Sequence, residues 1–198
     1  MSLFTLLSRL LEYPQERPAA GDAPLPPGPA GRAVERFLAE TDGLELEELR
    51  RRYVATFDFD RRANLYLTYH LYGDQRRRGV ELVRLKRRFR EAGLELAPDQ
   101  LPDYLPVLLE FAELAPEAGR EALAALRGPV ELVRAALAER GSPYAHLLDA
   151  VALTLPPLSR RQAEAVERLA AEGPPSELVG LDSFTPPELE PFLARERP

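Results

Sequence analysis

The chain contains no cysteine, which excludes disulfides, thiolate-bound metals and a cysteine nucleophile. Histidine is nearly as scarce. Only His70 and His146 occur among 198 residues, far apart and without thiolates to join them, so no dedicated transition-metal site is expected. Of the 26 basic residues only Lys86 is a lysine; codon composition explains this bias as readily as function does. No G-x-x-x-x-G-K-[ST], G-x-G-x-x-G or G-x-S-x-G motif occurs, so the common phosphate cradles and the nucleophile elbow are missing. Uncharged apolar runs never approach the roughly 20 residues that a bilayer crossing requires. The opening "MSLFTLLSRLLEYP" has no basic leader and is interrupted by Arg9. Neither a secretory signal nor membrane insertion is therefore expected, and the expected location is the cytoplasm. A net charge of −6 with a pI near 5.2 opposes nucleic acid as the main partner.

What is present reads as helix. A composition of 45% hydrophobic residues suits a globular core, and a chain of this length buries about 70% of its unfolded surface. In the first segment Ser2 can cap a helix whose Leu3, Phe4, Leu6, Leu7, Leu10 and Leu11 share one face, ended by Pro14. "PQERPAAGDAPLPPGPAG" is a Pro/Gly-rich connection. Helices are expected over 32–41 and 44–57. An aromatic helix is expected over 61–72, stopped by Gly73, with Asp74 capping a further helix that runs to Ala92. "LPDYLPVLLEFAELAP" starts another, in which Asp103 is expected to cap and Pro106 to cost a hydrogen bond or kink. Amphipathic stretches follow over 119–126, 130–139 and 144–155, and a thin apolar stripe over 159–173. No run alternates convincingly with period two and no repeat is evident. The expected fold is all-α: one helical-bundle domain over 1–172, then a Pro-rich, acidic and mobile tail over 173–198.

Chemistry concentrates in "LYLTYHLYGD", where Tyr66, Tyr69, His70 and Tyr72 crowd together in a chain with seven tyrosines. Three readings are open: core filler, an active site, or the wall of a groove. His70 and Asp74, four apart, resemble an acid–base pair. A helix stop at Gly73 would break that geometry and leave a buried or groove-lining histidine bonded to a neighbour. His146 reads as structural. The basic run "RRRGVELVRLKRRFR" is a solvated face or a docking surface for an acidic or phosphate-bearing partner. Each tyrosine ring alone fits a core. Together, with Phe57 and Phe59 just before them, they suit a surface that is dry on one side and wet on the other, as a groove for a peptide helix is.

"YVATFDFDRRANLYLTYHLYGDQRRRGVELVRLKRRFREAG", followed by "LPDYLPVLLEFA", closely resembles the NarJ family, the assembly chaperones of membrane-bound respiratory nitrate reductase. "LLSRLLEYP" is also similar to the family's opening. The resemblance implies the all-helical fold shared with the TorD and DmsD chaperones. It also implies a protein that is not an enzyme and has no cofactor of its own. Such a protein would bind the apo catalytic subunit of nitrate reductase, in part through that subunit's N-terminal peptide. It would keep this partner competent for molybdenum cofactor insertion before membrane attachment, and be absent from the mature enzyme. On that reading Phe57, Asp58, Tyr66, Tyr69, His70 and Tyr72 line or support the peptide groove. Asp74, Arg76 and Gly79 set the adjoining loop and helix start. Leu101, Pro102, Asp103, Tyr104 and Leu105 form a neighbouring wall, with Asp58 and Asp103 as either anchors for a basic peptide residue or caps. The alternative is a permanent helical adaptor subunit; an enzyme using His70 and the arginines ranks last.

Overall fold

The computed structural model describes residues 1–18 and 25–172; the tail expected over 173–198 lies outside the described residues. Among the described residues ten helices run in chain order: α1 Leu3–Leu11, α2 Pro29–Thr41, α3 Leu46–Phe57, α4 Tyr69–Tyr72, α5 Arg76–Glu91, α6 Leu105–Leu114, α7 Pro116–Ala125, α8 Arg127–Glu139, α9 Tyr144–Leu153 and α10 Arg160–Glu172. No helix among the described residues is long and apolar enough to cross a membrane.

The core is organised around α6. Leu105, Pro106, Val107, Leu108, Leu109, Phe111 and Ala112 are all buried, so this helix is apolar nearly all round, as a central element must be. Helices α1 and α7 pack against it, while α9 forms a second axis that receives α2, α8 and the edge of α1. On α1, the expected stripe closes on the core, with Leu7 and Leu11 fully buried, and the Ser2 hydroxyl accepts from the Thr5 N–H at 3.2 Å as its cap. Helix α10 packs on α8. Helix α5 joins the core through Leu85 and Phe89, the latter stacked on Phe111 with ring centres 3.9 Å apart.

Pro106, Asp74 and the aromatic helix each depart from expectation for a local reason. Pro106 neither kinks nor breaks a helix, because α6 begins at Leu105 and the proline falls in the first turn. There its missing N–H has no helical acceptor to lose. Asp74 is not a cap: α5 begins after Gln75, and Asp74 is exposed. Most of the aromatic helix expected over 61–72 is absent, leaving the single turn α4. The Asp60 carboxylate accepts from the Arg62 N–H at 3.0 Å, and the Asn64 side-chain oxygen from the Tyr66 N–H at 2.6 Å. Such local bonds satisfy backbone donors outside a helix. The segment then pairs across space, forming an isolated antiparallel bridge between Tyr66 and Tyr104. Gly73 does end α4, at a φ of 55° that favours glycine.

Helices α6 and α7 approach closely at Gly119. A Cβ on Gly119 would come within 2.4 Å of the Ala112 backbone nitrogen and 2.5 Å of its Cα. A Cβ on Gly79, within α5, would meet nothing within 4 Å. Gly119→Ala should therefore cost about 2–3 kcal/mol, because backbone must move. Gly79→Ala should gain about 0.5–1 kcal/mol from reduced unfolded-state freedom. Urea unfolding of both variants checks the pair; a neutral Gly119→Ala would contradict the close packing.

Candidate functional site

The non-helical segment between α3 and α4 and the loop entering α6 lie side by side. The Leu67 N–H donates to the Asp103 carbonyl, and the Leu105 N–H to the Leu65 carbonyl, both at 2.9 Å. Over this short bridge the side chains alternate: Leu65 and Leu67 are buried, whereas Tyr66 between them is 37% exposed. The Tyr66 ring leans on that of Tyr104, 5.0 Å between centres.

Below the rings lies a polar knot. Asp103, expected as a cap, is fully buried, and the N-cap position of α6 belongs to Tyr104. One Asp103 carboxylate oxygen accepts from the Thr68 hydroxyl at 2.5 Å and from Arg78 at 3.2 Å. The other is buried without a hydrogen-bond partner. Arg78 also donates to Thr68 at 3.2 Å. Its guanidinium lies over the faces of both Tyr66 and Tyr69, 5.9 and 5.8 Å from the ring centres.

The aromatic cluster extends beyond the expected motif through the buried Tyr53. The Tyr104 hydroxyl shares a 3.1 Å hydrogen bond with that of Tyr53, which donates to the Leu11 carbonyl at 3.0 Å. Tyr53 in turn meets the edge of Tyr13, 41% exposed. The result is a tyrosine ladder from the end of α1 to the start of α5: Tyr13, Tyr53, Tyr104, Tyr66, then Arg78. Carboxylates flank it. Burial chiefly raises the pKa of both Tyr104 and Tyr66; the nearby charges of Glu12 and Asp58 add to it at Tyr104, and those of Asp103 and Asp58 at Tyr66. Glu12 is itself raised, chiefly by burial and then by Glu110. Phe59, beside Asp58, is 83% exposed.

The candidate residues therefore fall into separate places. Tyr66, Tyr69 and Asp103 gather around Arg78, with Tyr104 against Tyr66 and Asp58 acting on both of those rings. Phe57 is core, packed on Tyr53 and Tyr144; Pro102 and Leu105 are buried and Leu101 half-buried. Tyr72 turns toward α5, where burial raises its pKa and Glu81 adds to the effect. Asp74 and Arg76 are exposed beyond it. His70 is buried, with Nε2 2.8 Å from the Asn64 carbonyl, so it is neither paired with Asp74 nor open to a substrate. His146 bonds to Glu40 at 2.9 Å. On α5, Arg84, Arg87 and Arg88 pair with Glu81, Glu91 and Glu121. A shallow cleft of about 300 Å³, walled by Arg52, Thr56, Arg140 and Tyr144 among others, contains none of the candidate residues. Tyr13, Glu12, Tyr53 and Arg78 were not singled out as site residues. Tyr13 and Glu12 stand in the quoted opening "LLEYP", but nothing local in it signals contact with a loop some ninety residues away.

The family model described as nitrate reductase delta subunit matches residues 26–150. A "Nitrate reductase-like protein NarX" of Mycobacterium tuberculosis (strain ATCC 25618 / H37Rv) is 39% identical over 151 residues, which cover 74% of this chain but only 23% of that protein. The "Probable nitrate reductase molybdenum cofactor assembly chaperone NarJ" of Bacillus subtilis (strain 168) is 34% identical over 171 residues, 81% of this chain and 91% of the relative. The "Nitrate reductase molybdenum cofactor assembly chaperone NarJ" of Escherichia coli (strain K12) is 31% identical over 200 aligned positions, 96% and 84% of the two chains.

Burial pulls the His70 imidazole below its ordinary value of 6.5, against the opposing pull of the Asn64 carbonyl, Asp103 and Asp60. The unfolded chain thus takes up this proton at higher pH than the folded one. The contribution is fully present above about 6.5 and lost as pH falls below it, with a slope of at most about 1.4 kcal/mol per unit. Urea unfolding between about pH 7.5 and 5.5 should show that slope, and His70→Gln should flatten it. Parallel curves for both proteins would contradict the assignment.

Proposed function

Because the chain belongs to the nitrate reductase delta subunit family, we propose that it is an assembly chaperone and not an enzyme. Its partner is the apo catalytic subunit of a respiratory nitrate reductase, which it meets in the cytoplasm. It receives that subunit's N-terminal peptide on the tyrosine ladder, keeps the subunit open for molybdenum cofactor insertion, and leaves before the mature enzyme is complete. The names of the Bacillus and Escherichia relatives support the chaperone role. The observation that carries the peptide reading is the exposed Tyr66 leaning on the half-buried Tyr104, the two standing on a fixed backbone bridge among carboxylates.

Tyrosine rings supply large contact area with a polar tip and lose little side-chain freedom on binding. A few such contacts suffice for micromolar affinity, about −8 kcal/mol. The rings are also pre-positioned: Tyr104 by its hydroxyl bond to Tyr53, and Tyr66 by Tyr104 and Arg78. That lowers the ordering cost of association.

Burial decides which ring tests the proposal. Tyr69 is 9% exposed, so its removal damages folding and binding together. Tyr66 is the better probe. Calorimetric titration with a synthetic peptide copying the first few dozen residues of the catalytic subunit from the same genome should show saturable binding. Tyr66→Ala should weaken it about tenfold or more, with a thermal midpoint within a few degrees of the parent. Unchanged affinity in a folded Tyr66→Ala variant would remove this surface from the account.

A further inference from the structure

Arg78 occupies the place where a ligand would sit. Its guanidinium covers two aromatic faces and donates to a carboxylate that is otherwise sealed from water. This arrangement is how proteins recognise an arginine side chain from outside: stacking on aromatic rings combined with a fork-shaped bond to a carboxylate. Here the cation comes from the protein's own α5. It is also an incomplete occupant, since the second Asp103 oxygen remains buried without a hydrogen-bond partner. Arg78 is about one-fifth exposed while Asp103 is not exposed at all, so the arginine is part of the cover over the carboxylate. The surroundings favour a positive guest, with Asp58 acting on Tyr66 and both Glu12 and Asp58 on the neighbouring Tyr104.

Resting on the peptide-binding reading above, we propose that Arg78 is an internal stand-in for an arginine of the bound peptide. Tyr66, Tyr69 and Asp103 form an arginine receptor. The incoming guanidinium displaces Arg78, engages both oxygens of Asp103, and lies over the same rings. Arg78 thereby sets specificity, because a segment without an arginine cannot replace the contact it would have to break. It also holds affinity down, because the receptor is competent only in the fraction of molecules where Arg78 has swung out.

Two peptides test this by calorimetry: the N-terminal copy of the catalytic subunit, and the same peptide with each arginine replaced by glutamine. The intact protein should bind the first about tenfold tighter or better. Asp103→Asn should bring the two within about twofold, because the neutral amide no longer favours a cation over glutamine. Arg78→Ala should bind the arginine peptide about tenfold tighter than the parent does, as the competitor is gone. Equal binding of both peptides to the parent protein overturns the arginine receptor while leaving peptide binding standing. Binding of neither peptide removes the peptide reading and this proposal with it. Should Arg78→Ala fail to fold, the comparison of the two peptides on the parent protein still decides.

Discussion

A single buried carboxylate fixes the geometry of the site. Removing an ion from water costs several kcal/mol even after relaxation, unless a partner offsets it. Asp103 has two partners, from different pieces of chain: Thr68 from the turn before α4, and Arg78 from the first turn of α5. Its own backbone carbonyl accepts from Leu67 in the same segment. One charge thus ties together a turn, a helix start and the loop entering the central helix. Breaking such a pair by deleting one partner costs about 3–5 kcal/mol, which gives these segments little freedom to drift. The rings of Tyr66, Tyr69 and Tyr104 inherit their positions from that knot.

Around this knot the protein divides its labour. Helices α6 and α9 are buried on most sides and provide a rigid base. The segment between α3 and α4 largely abandons helical hydrogen bonding and lifts Tyr66 outward between the buried Leu65 and Leu67. Helices present faces at fixed angular spacing; a bridge of two or three residues can lift one side chain clear of the surface between two buried ones. Placed there, the exposed tyrosine stands on a fixed backbone bridge with Asp103 and Asp58 acting on it.

The helical architecture was legible in the sequence because periodic leucines, Pro14 and Gly73 act locally. The α1 stripe and the core roles of Phe89 and Phe111 follow from spacing alone. The site was legible only as a neighbourhood. The aromatic segment looks helical by composition, yet Asp60 and Asn64 divert its backbone donors into local turns, and its cross-chain bridge has no local signature. The cap expected at Asp103 fails for a related reason. "PDYL" is a sound helix start by propensity, but the demand of Arg78 and Thr68 for a buried acceptor outweighed capping. Tyr13 and the buried Tyr53 join the ladder through contacts with each other and with Tyr104 that no local pattern signals.

The seven tyrosines of this chain allow a direct reading of where a peptide lands. Ring-labelled tyrosine would be followed by NMR during titration with the catalytic subunit's N-terminal peptide. If the ladder is the receptor, the signals of Tyr66, Tyr69 and Tyr104 shift together and saturate, while Tyr144, buried against Phe37 and Phe57, stays still. Saturable binding that moves Tyr72 on the α5 side, with Tyr66 and Tyr104 unmoved, would place the peptide elsewhere and contradict the account.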